Sequence, residues 1–131
     1  MLSHVTLGTN DLDRALQFYE PVMAALGMER RDRPTAEGHV WAYWGRPSAG
    51  RPLFIITRPE NGRTSTVGNG TMVAFLALSR ADVDEAYRVA LERGAVDEGA
   101  PGVREAYHPL FYGAYVRDPD GNKLSFCCHD G

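Results

Sequence analysis

The sequence predicts an α+β fold built from two copies of one β-α-β-β-β unit. Three observations predict it. A short extended segment followed by an amphipathic helical pattern occurs twice, first from His4 and again from Met72. The two copies open, and their closing glycines Gly27 and Gly94 fall, about half a chain apart. After each helix the chain breaks into short extended pieces separated by turns rich in Pro and Gly.

The elements follow in order. His4–Leu7 is extended and turns at Gly8–Asn10. Asn10 or Asp11 can cap the first helix, on which Leu12, Ala15, Leu16, Tyr19, Met23 and Leu26 recur on one face. Gly27 stands where a left-handed C-terminal cap wants glycine. Pro21 conflicts with a helix interior, at a cost of ~3 kcal/mol, and predicts a kink or a break near Tyr19. Strands are expected at Arg30–Arg33, His39–Trp44 and Leu53–Thr57. Glu60–Thr71 is a polar, glycine-rich linker.

The second copy runs from Met72–Leu76 into a helix that Ser79 and Asp82 begin in the manner of a capping box. Val83, Ala86, Tyr87, Ala90 and Leu91 form its apolar face, and Gly94 closes it. Strands are expected at Arg104–Ala106, Phe111–Arg117 and Lys123–Cys128, with Asp118-Pro119-Asp120-Gly121 as a tight turn between the last two. The expected organisation is one domain over 1–131, with modules at about 1–59 and 72–131 joined by the linker at about 60–71.

Composition narrows the function classes. Apolar residues make up 44% and charged residues 24% of the chain, which excludes a disordered tail or a disulfide-dense mini-protein. The net charge is −3, and Lys123 is the only lysine among fourteen basic residues. The arginines are scattered, so no basic face for nucleic acid is expected. Apolar runs such as Met72–Leu78 are far short of the ~20 residues that span a bilayer. Met-Leu-Ser-His-Val carries no signal-peptide pattern, so a cytoplasmic protein is expected. Cys127 and Cys128 are neighbours on a strand and point to opposite faces, which reads as two reduced thiols. No phosphate loop, Cys-x-x-Cys pair or Gly-x-Ser-x-Gly elbow is present.

Particular residues then carry a resemblance. His4-Val5-Thr6-Leu7, Asn10-Asp11-Leu12-Asp13-Arg14-Ala15, Phe18-Tyr19, Leu26-Gly27 and the stretch from Phe111 to Asn122 resemble a vicinal oxygen chelate domain. This superfamily contains glyoxalase I, bleomycin-resistance proteins and extradiol dioxygenases. Gly99–Gly102, Tyr107-His108-Pro109 and Cys128-His129 are similar to a glyoxalase-like subfamily. The resemblance implies that the two modules form a cupped mixed sheet with the helices outside, and that the protein is a homodimer. In metal-dependent relatives a divalent ion sits in the cup, held from the first and fourth strands of each half. The matching positions here are His4, Ile55, Met72 and Ser125, where Met72 replaces a histidine and Ser125 a carboxylate. One imidazole, one thioether, an alkyl group and a hydroxyl suit no hard or borderline ion. No cofactor is therefore expected, with a divalent metal as the alternative.

Candidate site residues follow from the same frame. If His4 faces the cup, alternation puts Thr6 beside it, and Met72, Ala74, Leu76, Lys123, Ser125 and Cys127 face it from the other half. His4 and His108 are candidate catalytic groups, since imidazole titrates near neutral pH. Each also has a plain structural reading, in the cup wall and in loop packing. Trp41, Tyr43, Trp44, Tyr112 and Tyr115 are candidate pocket walls, or alternatively core or dimer interface. His39 reads as a strand residue, His129 as an exposed terminal one, and Arg117 and Asp118 as structural. Two functions compete. One is a metal-free protein binding a small organic molecule in its cup. The other is a glyoxalase-like enzyme, of lyase, isomerase or dioxygenase type, working through a non-standard site. A structural or regulatory domain with an empty cup is a third reading.

Overall fold

The computed structural model describes residues 1–32 and 41–131. The first module contains β1 (His4–Gly8), α1 (Leu12–Ala25), β2 (Glu29–Arg30), β3 (Trp41–Gly45) and β4 (Leu53–Thr57). The second contains β5 (Met72–Leu76), α2 (Arg80–Glu92), β6 (Val96–Val103), β7 (Tyr112–Arg117) and β8 (Lys123–Cys128). Each module closes its own four-stranded mixed sheet, in the order β1-β4-β3-β2 and β5-β8-β7-β6. In both, the first and last strands pair in parallel and the others are antiparallel. The registers repeat too: Thr6 lies opposite Ile55, and Ala74 opposite Ser125.

Local chemistry accounts for the helix ends. Asp11 Oδ1 accepts the Arg14 N–H at 3.0 Å, and Ser79 Oγ accepts that of Asp82 at 3.1 Å. Such caps are worth ~1 kcal/mol each. Asn10 does a different job, joining the linker at Ser65 through N–H donation to its Oδ1 at 2.6 Å. Both helices end in the same motif, in which Met28 N–H reaches Met23 O and Ala95 N–H reaches Ala90 O, each at 2.9 Å. That geometry needs a left-handed residue, supplied by Gly27 (φ 74°) and Gly94 (φ 102°).

Three expectations change. Helix α1 runs unbroken through Pro21. Phe18, Tyr19, Val22 and Met23 are buried on either side of it, and at ~1.5–3 kcal/mol each their burial outweighs the lost backbone bond. The strand expected at Arg104–Ala106 lies earlier, at Val96–Val103. There Pro101 is tolerated because β6 is a sheet edge with register shifts around Gly99. The strand expected at Arg30–Arg33 is a two-residue pairing at Glu29–Arg30. Arg33, His39 and Val40 lie outside the described residues. Among the described residues no helix is long and apolar enough to cross a membrane.

One core serves both modules. Phe54 of β4 meets Phe75 of β5 edge to face at 4.9 Å, and Tyr19 packs on Phe54 at 5.2 Å. A polar clamp then fixes the modules to one another. The turn after β7 holds Asp118, buried at 3% exposure. Its Oδ1 accepts the N–H groups of Asp120 and Asn122, both at 2.9 Å. Its Oδ2 accepts the Tyr19 hydroxyl of α1 and Asn122 Nδ2. Asn122 Nδ2 also donates to Gly8 O at 2.9 Å. Next to it, Asp120 takes the Thr9 hydroxyl at 2.5 Å, the Asn10 N–H at 2.9 Å and Arg14 at 2.7 Å.

Burial pushes the Asp118 carboxyl above the usual carboxylate range, and the Tyr19 and Asn122 donors pull it back down. Tyr19→Phe removes one donor, so the folded-state pKa rises further. A carboxyl with a raised folded pKa contributes its stability while protonated and loses it as pH rises through that value. Tyr19→Phe should therefore cost about 1.5–3 kcal/mol at neutral pH and less on acidification. Urea denaturation at both pH values measures this, and an equal loss at both would show that Asp118 is not what Tyr19 serves.

Candidate functional site

The face of the second sheet turned away from α2 is hollowed into a cleft of about 660 Å³. Strand alternation selects its floor: Met72 and Ala74 from β5, Lys123, Ser125 and Cys127 from β8, and Tyr115 and Arg117 from β7. Tyr107 and Phe111, packed edge to face at 5.1 Å, form one wall, with His129 beside them. Asn69, Gly70 and Thr71 form the rim.

The polar groups of the cleft are donors more than acceptors. No Asp or Glu is among its lining residues. Arg117 is already paired with Glu98 at 2.7 Å and donates to Gly121 O at 3.1 Å. Lys123 forms no ion pair among the described residues, and its ammonium stands 5.8 Å from the centre of the Tyr115 ring. Ser125 is 1% exposed, and its Oγ has no hydrogen-bond partner within ordinary geometry. Burial raises the Tyr115 phenol above its ordinary value, as does Tyr107, while nearby Ser125 and Arg104 act in the opposite direction. Burial likewise raises the Cys127 thiol, which keeps it protonated at neutral pH.

His108 and His129 form a wired pair. Leu110 N–H donates to His108 Nδ1 at 3.1 Å, and His108 Nε2 lies 2.8 Å from His129 Nδ1. The rings stack with centres 5.1 Å apart. Because His108 Nδ1 accepts a backbone N–H, Nε2 is the donor of the pair and His129 Nδ1 its acceptor. His129 then carries its proton on Nε2, which faces Cys127 Sγ at 4.0 Å and the cleft.

The remaining candidates separate by face. His4, exposed at the head of β1 with its Nδ1 2.9 Å from Ser3 Oγ, lies on the first sheet and does not line the cleft. Thr6, Trp41 and Tyr43 are also absent from the cleft lining. Trp41 and Tyr43 pack edge to face at 6.2 Å, and Trp41 is half exposed. Trp44 is not a pocket wall. Alternation turns it inward with Ala42, and it is 2% exposed against Tyr19 and Phe54. Tyr112 likewise faces α2, where its hydroxyl donates to Asp84 at 2.6 Å beneath the Arg80 guanidinium. Met72, Tyr115 and Ser125 are the expected wall residues that the cleft contains. Sequence reasoning undervalued His129, whose role depends on the 104–111 loop folding back beside the end of β8. The proximity of Tyr107-His108-Pro109 to Cys128-His129 in one motif was the available signal.

Comparison with known proteins now adds to this geometry. The sequence pattern of the Glyoxalase/Bleomycin resistance protein/Dioxygenase superfamily matches residues 1–126. The chain belongs to that superfamily. A lactoylglutathione lyase of Neisseria meningitidis is 30% identical over 129 residues, covering 95% of this chain and 88% of its own. The metallothiol transferase FosB of Shouchella clausii is 27% identical, covering 94% and 76%. Among solved structures, a glyoxalase/bleomycin resistance protein from Albidiferax ferrireducens superposes with a TM-score of 0.84 at 33% identity, covering 98% of both chains.

Superfamily membership raises the question of a metal. The paired registers make Ile55 and Ser125 equivalent positions, each two residues along from the strand heads His4 and Met72. A single imidazole, a thioether, an aliphatic side chain and a buried hydroxyl do not fit a divalent ion of the superfamily's kind. Among the described residues no group of three or more His, Cys, Asp or Glu side chains is placed to hold one. Nickel or zinc should leave the melting temperature of the native chain unchanged. The triple variant Ile55→Glu, Met72→His, Ser125→Glu should gain roughly 10 °C at a metal concentration about 100 times Kd. A nickel-dependent shift in the native chain that His4→Ala abolishes would reverse this assignment.

Proposed function

We propose that this chain binds a small organic molecule in the cleft of its second sheet, without a metal at the four superfamily positions. The observation that carries the reading is the cleft itself. It is large enough for a drug-sized ligand, walled by Tyr107, Phe111 and Tyr115, and floored by a buried hydroxyl that makes no hydrogen bond of ordinary geometry. The names of the Neisseria and Shouchella relatives, a lactoylglutathione lyase and a metallothiol transferase, support a small metabolite as the class of ligand. The donor set at His4, Ile55, Met72 and Ser125 favours binding over the metal-dependent chemistry of the superfamily.

The proposed working form is a cytoplasmic homodimer. Strands β1 and β5 are both sheet edges, and between them runs an apolar groove of about 320 Å³ lined by Val5, Leu53, Phe54, Val73 and Phe75. Leu2, Met72 and Leu76 stand exposed nearby, at 58%, 45% and 61%. Unpaired edges flanked by exposed apolar side chains suit a second copy of the chain. Light scattering at micromolar concentration should return the mass of a dimer, and Leu76→Arg that of a monomer. A monomeric wild-type chain would remove this part of the proposal.

A second reading, an enzyme acting through His108, draws support from the imidazole pair at the cleft wall. A proton acceptor in reach of a reacting atom typically gives ~100- to 10,000-fold in rate. A ligand found by screening aromatic and thiol-conjugate metabolites separates the two readings. Tyr115→Ala should weaken its binding at least ~10-fold, His4→Ala less than ~2-fold, and the compound should be recovered unchanged after overnight incubation. Turnover detected by mass spectrometry, and lost in His108→Ala, would make the chain an enzyme.

A further inference from the structure

Three features of the cleft converge on one ligand chemistry. First, a chain with a net charge of −3 has a cleft with no acidic lining residue. Its only lysine is placed there without a partner carboxylate among the described residues. Second, the nearest buried polar group on the same strand face, Ser125 Oγ, sits near the Tyr115 phenol and makes no hydrogen bond of ordinary geometry. The Lys123 ammonium stands beside the Tyr115 ring, and Tyr115 pairs directly with Ser125 across β7 and β8. Lys123 starts one row earlier, opposite Arg117, and its ammonium reaches back towards the Tyr115 ring, so cation, hydroxyl and phenol are neighbours on one face of the sheet. Third, the His108–His129 pair fixes an N–H donor over Cys127, one row further on. Rows on one face of a strand repeat every ~6.5 Å.

Resting on the ligand-binding reading above, we propose that the cleft recognises a small aromatic carboxylic acid at two points. Lys123 and Ser125 receive the carboxylate, and His129 Nε2–H donates to a neutral acceptor, a carbonyl or ether oxygen, at the far end of the ring. Tyr115 and Phe111 enclose the ring between these points. A carboxylate fits better than a phosphate dianion, because the cleft offers one unspent cation and neither helix begins among its lining residues. The ~6.5 Å row spacing matches the span from a carboxylate to a para substituent on a single benzene ring. His108 acts as a positioning residue, since it decides which nitrogen of His129 carries the proton.

The test uses three probes of nearly one shape: 4-acetylbenzoate, its amide 4-acetylbenzamide, and 4-isopropylbenzoate, which lacks the acceptor. Labelling lysine with ¹³C at the ε carbon gives a single side-chain signal, from Lys123, so binding to chains that keep it is followed by NMR without any activity assay, and binding to the Lys123 variants by the backbone amide spectrum. Wild type should prefer the acetyl acid over the amide by at least ~10-fold and over the isopropyl acid by about 5-fold. Lys123→Met should erase the first preference and keep the second, and Lys123→Arg should keep both. His129→Phe and His108→Ala should erase the second preference and keep the first. Ser125→Ala should weaken both acids about 5-fold and spare the amide. Equal binding of acid and amide, or a preference that survives its cognate variant, would overturn the two-point site while leaving ligand binding intact. A Lys123 signal and amide spectrum that none of the probes moves, up to their solubility limits, would overturn the ligand-binding reading and this inference with it.

Discussion

The arrangement of the whole molecule depends on one buried carboxylate. Asp118 sits in the turn between β7 and β8, accepts four hydrogen bonds, and is reached from the first module by the Tyr19 hydroxyl. Burial makes its charged form costly, and an unpaired carboxylate in that position would disfavour the fold. The modules must therefore dock in the one way that delivers Tyr19 to it. Asp120 adds a second constraint by gripping Thr9, Asn10 and Arg14 around the start of α1. The clamp also reaches the cleft. Asn122, held by Asp118 and by Gly8 O, immediately precedes Lys123, so the first residue of β8 leaves the turn from a fixed point. The rows of the cleft floor are set from there.

Much of this fold was legible because it is written in local rules. The limits of β4, β5 and β8 coincide with apolar runs bounded by turn residues, and each helix begins at its acceptor side chain and ends at its glycine. What escaped depends on tertiary context. Strand β6 contains Gly99-Ala100-Pro101-Gly102, which reads as a turn, and only its place at a sheet edge lets it pair. Pro21 survives inside α1 because burial on both sides holds the helix together. At Trp44 and Tyr112 the structure takes the core alternative: alternation forbids Tyr43 and Trp44 from sharing a face, and Trp44 is the buried one. His129 could not be assigned from its neighbours in sequence, since its partner His108 arrives through a loop.

The two sheets show how equivalent positions take on different chemistry. Across the first runs Thr6, Ile55 and Tyr43, and across the second Ala74, Ser125 and Tyr115. The tyrosine is common to both rows. The hydroxyl stands at the edge in the first row, on Thr6, and in the middle of the second, on Ser125, so only the second row carries a polar group on the strand at its centre. The exposed Trp41 belongs to the first sheet and the cleft to the second, so the duplicated unit presents different chemistry in its two copies.

The residue at 125 also decides the sign of the cleft. In the superfamily's metal-dependent pattern this strand supplies a carboxylate, and a carboxylate among these lining residues would stand one row from Lys123. The two would pair, leaving a neutral floor or, with further acidic ligands, a site for cations. Serine removes the negative charge without filling the space or supplying a counter-charge. Lys123 is then left with its charge unspent, in a cleft where Arg117 is already satisfied by Glu98. In the proposed reading a position that elsewhere would draw a metal ion becomes, through one side chain, part of a surface suited to an anion. On the proposed reading, the missing metal ligand and the acid-binding floor are two consequences of one side chain.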